Sequence, residues 1–131
     1  MTDTVAQFEH VIGICRELFA KKLKDYGPAW RILRATSLTD QIFIKANRIR
    51  SIEMKGMSCI DEDIRSELIG IVNYGIIGLI QLNLGFSGDE DITVEQALEL
   101  YDRFMTQTKN LMYAKNHDYD EAWRLMRPTS Y

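Results

Sequence analysis

Residues 22–38 and 115–131 of this 131-residue chain match at nine of seventeen positions when set 93 residues apart. The shared pairs are Lys22/Lys115, Asp25/Asp118, Tyr26/Tyr119, Ala29/Ala122, Trp30/Trp123, Arg31/Arg124, Arg34/Arg127, Thr36/Thr129 and Ser37/Ser130. Upstream, Phe8 aligns with Tyr101, Glu9 with Asp102, Val11 with Phe104 and Leu18 with Leu111. Agreement this dense, two tryptophans included, implies one supersecondary unit used twice. The expected organisation is a single domain over residues 1–131, with a first repeat over about 4–84 and a partial second repeat over about 93–131. The second copy ends one residue past the counterpart of Ser37. The expectation is therefore a shortened version of a longer two-repeat protein, the alternative being a naturally short product.

The unit itself reads as helical. Val5, Phe8, Val11, Ile12, Cys15, Leu18 and Phe19 recur every three or four residues, the period of one helix face. Thr4 to Gln7 has capping-box spacing, so helix 1 is expected to start at Thr4 and to end near Lys24. Asp25-Tyr26-Gly27-Pro28 then carries turn chemistry, and a helical turn should follow over 30–33. Helix 2 is expected from Ser37 to Gly56, burying Ile42, Phe43, Ala46, Ile49 and Ile52. Helix 3 should begin within residues 58–61, whose acids suit a helix start, and reach Leu84. It is apolar nearly all round from Leu68 onward, which predicts the central element. Gly70, Gly75 and Gly78 each cost up to about 1 kcal/mol relative to alanine. They predict either a closely packed neighbour helix or a glycine-lined ligand slot. A second capping box, Thr93 to Gln96, opens helix 4, whose stripe is Ala97, Leu100, Tyr101, Phe104, Met105, Thr108, Leu111 and Met112. No strand pattern survives. The fold class is all-α, a bundle of four main helices with a short helical segment after each Asp-Tyr turn.

Composition narrows the functions. Hydrophobic residues at 46% and charged residues at 27% are globular proportions, not those of a disordered chain. A net charge of −3 supplies no basic field, so bulk nucleic-acid binding lacks its driver. The most apolar run, residues 68–80, falls short of the roughly 20 residues a membrane helix needs. Cys15 and Cys59 have no metal or redox spacing and nothing near Met1 resembles a signal peptide, so a cytoplasmic setting is expected. No P-loop, dinucleotide fingerprint or catalytic triad is legible, and His10 and His117 have no matched ligand spacing.

The repeated residues carry the chemistry that remains. Asp25 and Asp118 suit the head of a turn, and Trp30 and Trp123 offer a large apolar face with a polar N–H. Arg31 and Arg34, like Arg124 and Arg127, share a helical face and present forked donors to a phosphate or carboxylate. Lys45 and Arg48 repeat that spacing. One reading makes Lys24, Asp25, Tyr26, Trp30, Arg31, Arg34, Lys45 and Arg48, with Asp118, Tyr119, Trp123 and Arg124, the contacts of a nucleotide. The other makes the Asp-Tyr-x-x-Ala-Trp segment a structural corner whose arginines pair with Glu53, Asp61 or Glu67.

The runs Lys22-Leu23-Lys24-Asp25-Tyr26-Gly27-Pro28-Ala29-Trp30-Arg31, Thr39-Asp40-Gln41-Ile42 and Lys45-Ala46-Asn47-Arg48-Ile49 resemble a bacterial family, as do Asn73-Tyr74-Gly75-Ile76-Ile77-Gly78-Leu79-Ile80 and Lys115-Asn116-His117-Asp118-Tyr119. It is DUF1599, nucleotide modification associated domain 1, whose members look like tandem duplications. The resemblance implies an association with enzymes of nucleotide and phage DNA modification. More distantly, the helices look like MazG-type all-α nucleoside triphosphate pyrophosphohydrolases. That likeness implies Glu-x-x-Glu on one helix and Glu-x-x-Asp on the next, converging on Mg²⁺. Glu67 fits the first position of the latter motif, but Gly70 stands where its Asp should be. Lys45-Ala46-Asn47-Arg48 replaces the paired acids. Glu67 is thus the one candidate metal ligand and Mg²⁺ the one cofactor to consider. Two hypotheses follow: a nucleotide-binding or nucleotide-processing protein, and a non-catalytic helical module that oligomerises or docks a partner. A partial second repeat leaves apolar surface uncovered, which predicts a homodimer.

Overall fold

The structure, a computed structural model, describes residues 2–56 and 60–119. These form α1 (Thr2–Tyr26), a 3₁₀ turn (Ala29–Ile32), α2 (Ala35–Lys55), α3 (Ile60–Leu84) and α4 (Val94–Tyr119). Among the described residues there is no strand, and the all-α bundle expected from periodicity is what forms. The second Asp-Tyr pair closes α4, while Trp123, Arg124 and Arg127 lie outside the described residues.

α3 is the central element and touches each of the other three helices. Its inner face buries Ile76, Ile77 and Ile80 against Phe19 and Leu23 of α1, Leu38 of α2, and Ala97, Tyr101 and Met105 of α4. The apolar stretch is longer than residues 68–80. Ile64–Leu84, 21 residues, suffices by length and composition to cross a bilayer, although its inner face is the core just described.

α1 and α4 run antiparallel. Phe19 stacks on Tyr101 at 4.2 Å between ring centroids, and Phe8 meets Tyr113 edge-on at 6.0 Å. Arg16 forks onto Asp102 at 2.7 and 2.9 Å, while Lys109 lies 3.0 Å from Glu9. Arg16 and Lys109 are 93 residues apart, as are Glu9 and Asp102. The offset of the sequence match therefore exchanges the two ion pairs.

Several boundaries and faces differ from expectation. α1 starts at Thr2, so Thr4 lies inside the helix and not at its start. At α4 the reciprocal box does form: the Thr93 amide donates to Gln96 Oε1 at 2.8 Å, and the Gln96 amide donates to Thr93 Oγ1 at 3.0 Å. α2 starts at Ala35, two residues early, and ends at Gly56 in the left-handed region as expected. Its predicted buried face is only half buried. Of its five residues Ile49 is buried, Ile42 and Ile52 are half-buried, and Ala46 and Phe43 are exposed, Phe43 at 67%. α2 packs chiefly on α3, and one flank of its apolar stripe, with Phe43 and Ile44, stays exposed. The close packing expected at Gly75 and Gly78 is absent too, since a Cβ at either would meet nothing within 4 Å.

Candidate functional site

The Asp-Tyr turn works because Gly27 takes the left-handed conformation (φ 63°), which ends α1 and reverses the chain. Pro28 then starts the 3₁₀ turn, which lays Trp30 against Phe19 with ring centroids 6.1 Å apart. Arg31 is 3% exposed, and a buried cation must be paired. Its Nε donates to Asp91 Oδ1 at 2.8 Å, and its Nη1 donates to Gln81 Oε1 at 2.7 Å and to the Gly85 carbonyl at 2.6 Å. Gln81 answers with its amide nitrogen, which reaches the carbonyls of Trp30, Arg31 and Leu33 at 3.2, 2.8 and 2.8 Å. This buried knot fastens the turn to the C-terminal end of α3 and to the loop before α4. Arg31 thus holds the scaffold, and its partner is Asp91, not the acids proposed from sequence.

The turn, the last two turns of α1 and the middle of α2 and α3 enclose a cavity of about 440 Å³. Phe19, Leu23 and Ile77 give it an apolar floor; Tyr26, Trp30 and Tyr74 bring aromatic rings; Lys22, Lys45, Ser66 and Asn73 bring polar groups. Such a volume falls in the roughly 300–1,000 Å³ range of small-molecule sites, which are mostly apolar with a few convergent polar groups. Asn73 is fixed by two bonds. Its amide donates to the Cys15 carbonyl at 3.1 Å, and its oxygen accepts from the Tyr101 hydroxyl at 2.7 Å. Burial, aided by Cys15 and Asp102 nearby, pushes the Tyr101 phenol's pKa well up, so it stays a donor. Burial likewise raises the Cys15 thiol's pKa.

At the α2–α3 wall, Glu67 is buried with each carboxylate oxygen facing a cation. Lys45 Nζ lies 3.4 Å from Oε2 and Arg48 Nε 3.4 Å from Oε1. The Lys45 ammonium also sits 5.9 Å from the centroid of Tyr74. The acid predicted as a metal ligand is therefore paired to two cations. Among the described residues no three His, Cys, Asp or Glu side chains stand together. This arrangement does not fit a Mg²⁺ site, which wants several oxygen ligands.

Of the residues proposed from sequence, Tyr26, Trp30 and Lys45 line the cavity, with Arg48 behind Lys45 on the same carboxylate. Lys24 and Asp25 are exposed and do not line it. Arg34 turns away and covers the Phe86 ring at 4.6 Å. Asp118 and Tyr119 lie at the end of α4, and Trp123 and Arg124 fall outside the described residues. Sequence reasoning missed Lys22, Tyr74, Ser66 and the floor residues. Lys22 was detectable as a repeated position, whereas Tyr74 and Ser66 carry no local signal.

The family model described as DUF1599, nucleotide modification associated domain 1, matches residues 22–82. That segment runs from the cavity side of α1 through α2 and most of α3. No curated protein matches the chain. Nor does any solved structure.

Proposed function

We propose that the chain binds a nucleotide in the cavity between α1, the 3₁₀ turn, α2 and α3. The observation that carries the reading is the convergence of two lysines, Lys22 and Lys45, with three aromatic rings, Tyr26, Trp30 and Tyr74, around one apolar space. Aromatic faces accept any base by stacking, and lysine ammonium groups bind phosphate as point charges. The matched segment contains every residue of this set, and its description refers to nucleotides. Arg31 has no part in the contact, because its donors are spent on Asp91, Gln81 and Gly85.

The test is a thermal-shift screen against nucleoside mono-, di- and triphosphates, with and without Mg²⁺. Ligand bound only to the native state stabilises it by about 2.7 kcal/mol at a hundredfold excess over Kd. A selective shift that disappears in Lys45→Ala supports the reading. No shift with any nucleotide at millimolar concentration refutes it.

A second reading, a helical module that self-associates, is favoured by one observation. Leu68, Val72, Leu79 and Leu82 lie on the outer face of α3 and are all exposed. With Gly75 between them they follow alternating steps of four and three residues, the spacing of a coiled-coil seam.

A further inference from the structure

Gly70 occupies the middle of α3 without a backbone reason to be there, since its φ is not among the left-handed ones. A glycine in a helix interior lowers helix stability relative to alanine. Packing supplies the explanation. A Cβ at Gly70 would lie 2.7 Å from Lys45 Cε, 2.8 Å from Cδ and 3.1 Å from Nζ. The lysine stem therefore crosses α3 in the gap that the missing side chain leaves, and its ammonium emerges at the cavity wall. Glu67 holds the ammonium only loosely, since 3.4 Å exceeds the usual N–H···O range of about 2.7–3.2 Å. Donors on Lys45 remain for a ligand.

Charge narrows that ligand. Lys22 and Lys45 line the cavity, and Glu67 beside Lys45 is already met by Arg48. Lysines so placed favour a phosphate-bearing ligand over an uncharged one.

We propose that Gly70 is a specificity-determining residue: it opens the path by which Lys45 reaches the cavity, and Lys45 there selects a nucleoside 5′-monophosphate over the free nucleoside. This rests on the cavity being a nucleotide site. The clash is with the far end of a flexible side chain, so Gly70→Ala leaves the helix intact and displaces Lys45, with Arg48 still facing Glu67. Function and fold are thereby separable at one position.

The experiment is calorimetric titration of the full chain with adenosine, guanosine, cytidine and thymidine and with their 5′-monophosphates. It is run on wild type, Gly70→Ala and Lys45→Met, with melting temperatures recorded alongside. The expected result is a preference of about tenfold or more for the monophosphate in wild type, equivalent to about 1.4 kcal/mol. That preference collapses in both variants while nucleosides still bind, and Gly70→Ala still melts cooperatively. A preference retained in Gly70→Ala but lost in Lys45→Met overturns the role of Gly70 alone. A preference retained in both overturns the placement of phosphate at Lys45 while leaving a nucleotide site. Absence of binding by any nucleoside or monophosphate overturns the underlying site as well.

Discussion

Tyr101 shows how one buried hydroxyl organises the centre of this molecule. It is 0% exposed, stacked on Phe19 and bonded to Asn73, which in turn bonds the backbone of α1. Tyr101→Phe keeps the ring but leaves the Asn73 oxygen without its donor, at a cost of about 1–3 kcal/mol. Denaturant unfolding should report that loss. The same group ties stability to alkaline pH. Burial raises its pKa above the about 10 of an exposed tyrosine. A proton held more tightly in the folded chain stabilises it fully below pH about 10, and that contribution is lost as pH rises toward the folded-state value. Wild type should lose stability above pH about 10 more steeply than Tyr101→Phe, as unfolding midpoints across pH would show. Apolar periodicity places Cys15 and Phe19 on the stripe of one helix and Tyr101 on that of another, and the fold brings Phe19 and Tyr101 together in the core. Periodicity was blind to Asn73, because a polar residue on an apolar face declares its partner only in three dimensions. Arg31 was misleading for the same reason: its repeated place beside an aromatic suited a phosphate contact, while its acceptors lie at least 50 residues away in sequence.

At the scale of elements, the ends of helices carry most of what was legible. Gly56 closes α2 at φ 60° and its amide bonds the Ile52 carbonyl at 3.2 Å. Gly56→Ala should therefore cost about 1 kcal/mol, since only glycine enters that region without strain. The Asp-Tyr-Gly-Pro turn and the box at Thr93 were readable because their spacing is local chemistry. Thr4 has the same spacing, yet α1 begins two residues before it. The knot of Arg31 and Gln81 joins three elements and was not readable at all. Arg31→Ala would strip the buried Gln81 oxygen of its donor and free the Gly85 carbonyl and Asp91 at the rim. A loss of about 3 kcal/mol is expected, measurable by chemical denaturation. Because the 3₁₀ turn carries Trp30, this variant should also weaken any ligand in the cavity without touching it. Lys45→Ala should weaken the ligand directly, at a smaller cost in stability, because Arg48 still faces the Glu67 carboxylate.

For the whole molecule, the distribution of apolar surface decides what remains to be explained. The exposed leucines and valine of α3 and Phe43 and Ile44 of α2 exceed the scattered singles that a monomer normally shows. Two causes visible in the fold produce this surface. α2 has chiefly α3 as a neighbour, and α3 offers its inner face to α1 and α4 while Leu68, Val72, Leu79 and Leu82 on its outer face stay exposed. The exchange of the Arg16–Asp102 and Lys109–Glu9 pairs under the 93-residue offset gives α1 and α4 equivalent roles. Yet only one helix, α3, packs across that pair among the described residues, so the arrangement is lopsided. A symmetric dimer that pairs the α3 seams of two copies would cover Leu68, Val72, Leu79 and Leu82, with Gly75 at the point of closest approach. Light scattering of the purified chain should then return twice the 15.2 kDa chain mass. Leu79→Glu with Leu82→Glu should halve that mass, because like charges would meet across the seam. Leu82→Glu alone should leave melting at low concentration nearly unchanged, since Leu82 is 78% exposed within one chain and supports no intramolecular core. A wild-type chain that is monomeric at high micromolar concentration would sink this arrangement, and binding to neutral lipid vesicles under the same conditions would reassign the seam to a membrane surface.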